Sequence, residues 1–309
     1  MTLLIARYRK HSEVKVTSNR RHSFASRSTR ADVELLAQVD EPHATLSGPA
    51  TKKIVEREFR DYKRAAYERL AGISVAHIHN LRQRPRYTVH QPDLDGVKGV
   101  YHINLVDEVT QWQMVACVAA ITQSHLKPVL QDLLRRVPFV IRGFHSDNGS
   151  EFINDMESGL LQELLIEQTK SRARKSNDNG LVESKNRAVI CKHMGYGHIA
   201  ADHAEDNHAF YQSDFNPYLN FHRPCGQPER IVDERGKEKF VYKRYATPWE
   251  ILRTLELALP PGQSYLAPAV SIEGLDRIAQ VRSDTEAARR MQEGKRKLFL
   301  GFRQERKIA

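Results

Sequence analysis

Between Val100 and Met194 the spacing of apolar residues switches repeatedly between a period of two and a period of 3.6, a pattern that few folds accommodate. The segments VYHINLV (100–106) and WQMVACVAAI (112–121) are β-rich, and DEVTQ between them predicts a hairpin. Leu126, Val129, Leu130, Leu133, Leu134 and Val137 then recur at helical spacing. Phe139 to His145 reads as a short apolar strand, and Leu160, Leu161, Leu164 and Leu165 as a helix. Ile166 to Lys170 reads as a second short strand, and Leu181 to Met194 as a further helix. The order β-β-α-β-α-β-α, with a preceding strand to be supplied from residues 86 onward, predicts a mixed α/β core over 86–196 rather than a doubly wound sheet.

The flanks differ from this core. Residues 1–30 are basic and Ser/Arg-rich without steady periodicity and predict a flexible arm. Residues 31–84 are helical in pattern: Val33, Leu36 and Val39, then Ile54 to Phe59, then Tyr67, Leu70, Ile73, Ile78 and Leu81. Within YERLAGISVAHIHNLRQ, a helix ending at Ala71, a turn at Gly72 and Ile73, and a second helix capped by Ser74 have helix-turn-helix spacing. Ile73, Val75, Ile78 and Leu81 would pack inward, leaving His77, His79, Asn80, Arg82 and Arg84 for phosphates or base edges. An ordinary helical hairpin has the same pattern, and the basic context favours DNA. Residues 197–309 are less regular: KEKFVYKRY predicts a hairpin arm, TPWEILRTL a helix opened by Pro248, and Asp284 to Leu300 a basic helix.

Charge narrows the partner. Lys and Arg number 48 against 38 Asp and Glu, and the excess is clustered: eight against one in residues 1–30, seven against two in 168–192, nine against four in 282–309. Clusters of this kind suit a polyanion, because neutralising phosphates releases counterions. The longest apolar run, Met114 to Ile121, has eight residues where a membrane span needs about eighteen. With no secretory leader in the pattern MTLLIARYRKH, a cytoplasmic, nucleoid-associated location is expected. Three cysteines, Cys117, Cys191 and Cys225, form no CxxC and predict neither a disulfide framework nor a thiolate zinc site.

Two carboxylates stand out. Asp147 follows the strand FVIRGFH in HSDNGSEF, at the strand end where α/β folds place ligand groups; Asp-Asn-Gly is equally a turn sequence. Glu183 lies early in the helix LVESKNRAVICKHMGY, where a first-turn Glu commonly complements the helix dipole. Thirty-five residues stand between the two, holding a helix and a strand. With Lys170, Arg172, Arg174 and Lys175 leading to the Glu, the pair makes a metal site beside a phosphate track.

This spacing, with SDNGSEF and NDNGLVESKN, resembles the catalytic core of the DDE transposases and retroviral-type integrases, and in particular the integrase-core transposases of bacterial insertion sequences, over about residues 31 to 300. The resemblance implies a ribonuclease H-like fold in which two Asp and one Glu hold two Mg²⁺ or Mn²⁺ ions. Such ions, about 4 Å apart, activate the attacking oxygen and stabilise the leaving one in DNA cleavage and strand transfer. It further implies that Asn148, Gly149 and Asn179 shape the approach, that Lys185 and Arg187 contact double-stranded DNA, and that the working form is a homo-oligomer on paired DNA ends. Asn179, Glu183 and Arg187 are four apart, as one helix face requires.

One part of the pattern is missing. The family places its first Asp just before a segment like Thr88 to Asn104, and Tyr87 stands there. Arg82 to Gln91, interrupted by Pro85, are too few for a linker and a complete central strand, as though a segment had been lost. Asp107 would lie toward the opposite end of the sheet, and Asp93 is about 20 Å of extended chain past Tyr87. The expectation is a degenerate transposase that binds DNA with little strand transfer and at most weak metal binding; the alternative is a non-catalytic DNA-binding remnant or regulator of transposition. Other constellations are weaker: His222 with Cys225 gives two ligands where tetrahedral zinc needs four, and Ser124 with His125 lacks an orienting acid.

Overall fold

A computed structural model describes residues 28–82, 99–146, 167–170, 180–195, 199–232 and 238–308. The chain is mixed α/β, with many helices around three short two-stranded sheets among the described residues.

The helical unit opens with α1 (Arg30–Asp40), fixed by a capping box in which Thr29 Oγ1 accepts from Asp32 N and Asp32 Oδ2 accepts from Thr29 N. Two consecutive left-handed residues, Ala44 and Thr45 (φ 53° and 52°), turn the chain into α2 (Gly48–Arg60). A 3₁₀ turn at Ala65–Tyr67 leads to α3 (Glu68–Ala71) and then α4 (Val75–Arg82). Val33, Leu36, Val39, Ile54, Leu70, Ile78 and Leu81 form its core, as their spacing predicts.

The hairpin predicted from DEVTQ is present: β1 (Tyr101–Val106) pairs antiparallel with β2 (Gln113–Val118). Every residue of β2 is buried, because Val115 and Cys117 point into one core and Met114 and Ala116 into another. That two-sided burial is why its sequence is a continuous apolar run rather than an alternating one. Helix α5 (Gln123–Arg135) follows and buries Leu126, Leu130, Leu133 and Leu134.

The strand expected over Phe139–His145 is displaced. Phe139 makes only an isolated bridge to Leu266, flanked by Val140 N donating to Tyr265 O and Ala267 N to Pro138 O. Strand β3 (Gly143–Ser146) starts later and pairs in parallel with β4 (Glu167–Lys170), which is where the sequence predicts a strand. The helix expected at Leu160–Leu165 lies outside the described residues. Helix α6 comprises Gly180–Lys185, a π turn over Asn186–Cys191 and Lys192–Met194.

The region expected to be less regular holds a deeply buried helix. Helix α7 runs from Ala204–Phe210 through π turns at Tyr211–Phe215 and Tyr218–His222, and buries Phe210, Tyr211, Phe215, Tyr218, Leu219 and Phe221. It covers the free edge of β2 with side-chain amides. Val115 N donates to Asn216 Oδ1 at 2.9 Å and Asn216 Nδ2 returns a bond to Val115 O at 3.0 Å; Gln113 and Asn220 repeat the exchange at 2.8 Å each way. Two strand residues span about 6.6 Å and four helical ones about 6 Å, so the two repeats match.

Strands β5 (Cys225–Val232) and β6 (Glu238–Ala246) form the predicted hairpin arm. Helix α8 (Pro248–Leu257) starts at a Thr247/Glu250 capping box with Pro248 in its first turn. Helix α9 (Ile272–Gln280) was not foreseen, and α10 (Asp284–Ile308) extends the expected basic helix.

A buried polar knot joins α2 to the start of α10. Arg57 donates to both Asp284 oxygens (2.7 and 3.1 Å) and lies 2.9 Å from Glu250; Tyr62 and His222 reach the same Asp284 Oδ1 at 3.0 and 3.1 Å. Burial alone would raise the Asp284 carboxyl, but Arg57 and His222 hold it below the usual carboxylate value.

Candidate functional site

Two helices joined by a tight turn occupy the stretch with helix-turn-helix spacing, with Val75 half-buried where inward packing was expected. Gly72 ends α3, Ser74 Oγ accepts from His77 N at 3.2 Å at the start of α4, and Ile73, Ile78 and Leu81 are buried. A glycine is needed where α4 crosses the start of α2, since a Cβ on Gly48 would stand 2.8 Å from Val75 Cγ1 and 2.7 Å from His79 Nε2. This packing leaves Ser74, Ala76, His79 and Asn80 exposed. His77 is half-buried, with Nε2 2.8 Å from Ser28 Oγ. Arg82 instead turns inward: its guanidinium donates to both Asp40 oxygens (2.6 and 2.8 Å) and to Thr51 Oγ1 (2.9 Å). The exposed part of α4 therefore carries imidazole and amide groups rather than guanidinium.

The second candidate region lies around β3 and β4. Their parallel register sets Ser146 opposite Lys170, so both chains leave the pair at the same end. Asp147 is the next residue, and it lies outside the described residues, as do Arg172, Arg174 and Lys175. Glu183 is in the first stretch of α6, which packs beside β1, where Asn104 Nδ2 donates to Asn186 Oδ1 at 2.7 Å. A π turn over Asn186–Cys191 follows directly on the stretch that holds Glu183.

Lys185, placed on the DNA side by resemblance, is buried, and its Nζ donates to Cys225 Sγ at 3.0 Å. Burial would raise the Cys225 thiol, but Lys185 and Arg223 outweigh it and hold the thiol below its ordinary value. His222 and Cys225 thus serve different neighbours, Asp284 and Lys185. Ser124 and His125 meet Thr122, at 3.0 and 2.6 Å, and no carboxylate orients them among the described residues.

Does the donor set fit two divalent ions? Tyr87, which stands where the resemblance expects the first Asp, lies outside the described residues, and a neutral phenol is a weak ligand for Mg²⁺. Asp107 is no substitute, since its Oδ2 accepts from both Thr110 N and Thr110 Oγ1 at 2.6 Å and caps the β1–β2 turn. Among the described residues no group of three His, Cys, Asp or Glu is placed to hold a metal.

No family model matches this chain. Over 100 residues, 32% of its length, it is 30% identical to a protein of Sinorhizobium fredii named "Uncharacterized protein y4rM", of which the match covers 29%. The chain spans under a third of that relative, whose name assigns no activity. Among the described residues no helix is long and apolar enough to cross a membrane.

Proposed function

We propose that the chain is a transposase- or integrase-type protein that binds double-stranded DNA ends as a homo-oligomer, with a ribonuclease H-like core whose cleavage and strand-transfer chemistry is impaired by Tyr87. The observation that supports this best is the parallel β3–β4 pair, which ends level at Ser146 and Lys170 with Asp147 next in sequence, followed by α6 carrying Glu183. Strand ends of that kind are where α/β sheets present ligand groups. The basic clusters and the α3–α4 unit supply the DNA affinity, with His77 and Asn80 on its surface. Tyr87 favours a second reading within the same frame: a DNA-bound regulator that occupies terminal repeats without cutting them.

Anisotropy with terminal-repeat duplexes tests the binding; affinity should fall linearly with salt on logarithmic axes, with a slope set by the phosphates contacted. Failure to bind duplex DNA at low salt would overturn the reading. Mn²⁺ calorimetry should give one weak ion, lost in Glu183→Gln. Metal-dependent cleavage and joining by the native chain, abolished in Asp147→Asn, would refute the impairment.

A further inference from the structure

The β5–β6 hairpin carries a pair of aromatic rings on one side and lysines on the other, and no described part of the chain covers the rings. Its strands form a sheet of their own, eight and nine residues long, and an isolated two-stranded ribbon is marginal in water unless something packs on it. The root is anchored. Tyr245 packs against the core of the helical unit, and Gln111 Nε2 donates to Gly226 O at 2.7 Å. Beyond the root the rings are bare, with Tyr242 57% and Phe240 61% exposed.

Register puts both rings on one side. Arg230 pairs with Phe240, and a bulge sets three steps of β6 (Val241 to Arg244) against two of β5 (Gln227 to Glu229). Tyr242 leans over Gly226, where an added Cβ would come within 3.1 Å of Tyr242 Cδ1. Lys243 turns to the other side and lies 3.5 Å from Glu229. Phe240 and Tyr242 therefore follow each other about 7 Å apart along one face. The seven residues from Lys239 to Tyr245 hold three cations, three aromatic rings and no acid.

We propose that the ring side binds an unpaired stretch of nucleic acid, with successive bases lying on the Phe240 and Tyr242 rings, Arg230 beside the first of them, and phosphates passing along the ribbon edge toward Lys239, Lys243 and Arg244 on the other side. A base lies flat on a ring only when it is out of the duplex, and the spacing of the rings suits an extended strand. A second copy is the poorer occupant, because a two-fold contact centred on the rings would bring Arg230, which shares the Phe240 side, against its own counterpart. The proposal rests on the nucleic-acid reading of the chain and adds to it a single-strand platform distinct from the α3–α4 unit.

Anisotropy of the full chain with a labelled oligothymidylate of about 20 nucleotides, run beside a labelled duplex, tests it. The double variant Phe240→Leu/Tyr242→Leu keeps apolar bulk and removes the flat rings; its fold is checked by circular dichroism. Oligothymidylate binding should weaken about tenfold or more, with duplex binding unchanged. Equal oligothymidylate affinity in variant and parent would overturn the proposal, as would a variant that loses self-association in sedimentation while binding the strand normally. Duplex binding without strand binding in the parent sinks the ribbon alone, and binding of neither sinks the functional reading as well.

Discussion

Replacing Arg57 with Met should destabilise the protein by about 3–5 kcal/mol, the cost of stranding one member of a buried ion pair. The structure says where that cost falls. Glu250 loses Arg57 but keeps Lys53 at 3.2 Å and the Thr247 backbone N–H at 2.8 Å. Asp284, fully buried, loses both guanidinium bonds and keeps only Tyr62 and His222 on its Oδ1. Its charge is what the fold can no longer accommodate. Neutralising it in the double variant Arg57→Met/Asp284→Asn should therefore recover part of the loss, giving about 1–3 kcal/mol of favourable coupling. Protonation should act like the Asn. The Arg57→Met penalty ought to be largest near pH 7 and to narrow as pH falls toward about 4, because burial then raises the carboxyl that Arg57 had held down. Urea unfolding followed through the buried Trp112 and Trp249 measures all of this. A single-variant loss below about 1 kcal/mol, or strictly additive losses, would refute the assignment of the knot as a charge-balanced unit.

Acid lability is the second expectation. Burial lowers His43 to about 3 and takes His193 well below its ordinary value, so both stay neutral in the fold while the unfolded chain protonates them below about 6.5. Stability should thus fall as pH drops from about 6.5 toward 3, and His43→Leu should flatten that slope in pH-dependent urea titrations; an unchanged slope counts against it. Third, burial lowers Lys295 to about 8 from 10.5, so its ammonium strains the fold at neutral pH and the strain is relieved as pH rises from 8 to 10.5. Lys295→Met should raise the melting temperature near pH 7 by an amount worth up to about 3 kcal/mol and show no gain near pH 10.5; a destabilised variant at neutral pH contradicts this.

What the sequence disclosed, and what it hid, follows from the range of the interactions. The α3–α4 turn was legible because its determinants are neighbours: Gly72 to end one helix, Ser74 to cap the next, Ile73, Ile78 and Leu81 to face inward. The β1–β2 hairpin was legible for the same reason. Helix α7 was not, because Asn207, Asn216, Asn220 and His222 are buried among its apolar residues and its two π turns break the 3.6 period that betrays a one-sided helix. Inward Arg82 and Lys185 were invisible too. A cation within a basic run reads as solvated until its partner is known, and those partners, Asp40 and Cys225, lie 42 and 40 residues away. Of the candidate metal site, the helix bearing Glu183 was foreseen and a strand leading to Asp147 was expected over Phe139–His145 but found at Gly143–Ser146; the Asp147 carboxylate lies outside the described residues.

The asparagine pair on α7 makes the central hairpin directional. With Asn216 and Asn220 occupying the outer hydrogen-bonding groups of β2, no additional strand can dock there without evicting them, so the sheet has a built-in stopper on that flank. Any enlargement of it, whether by the chain's own upstream residues or by a stray polypeptide, is confined to the far side of β1.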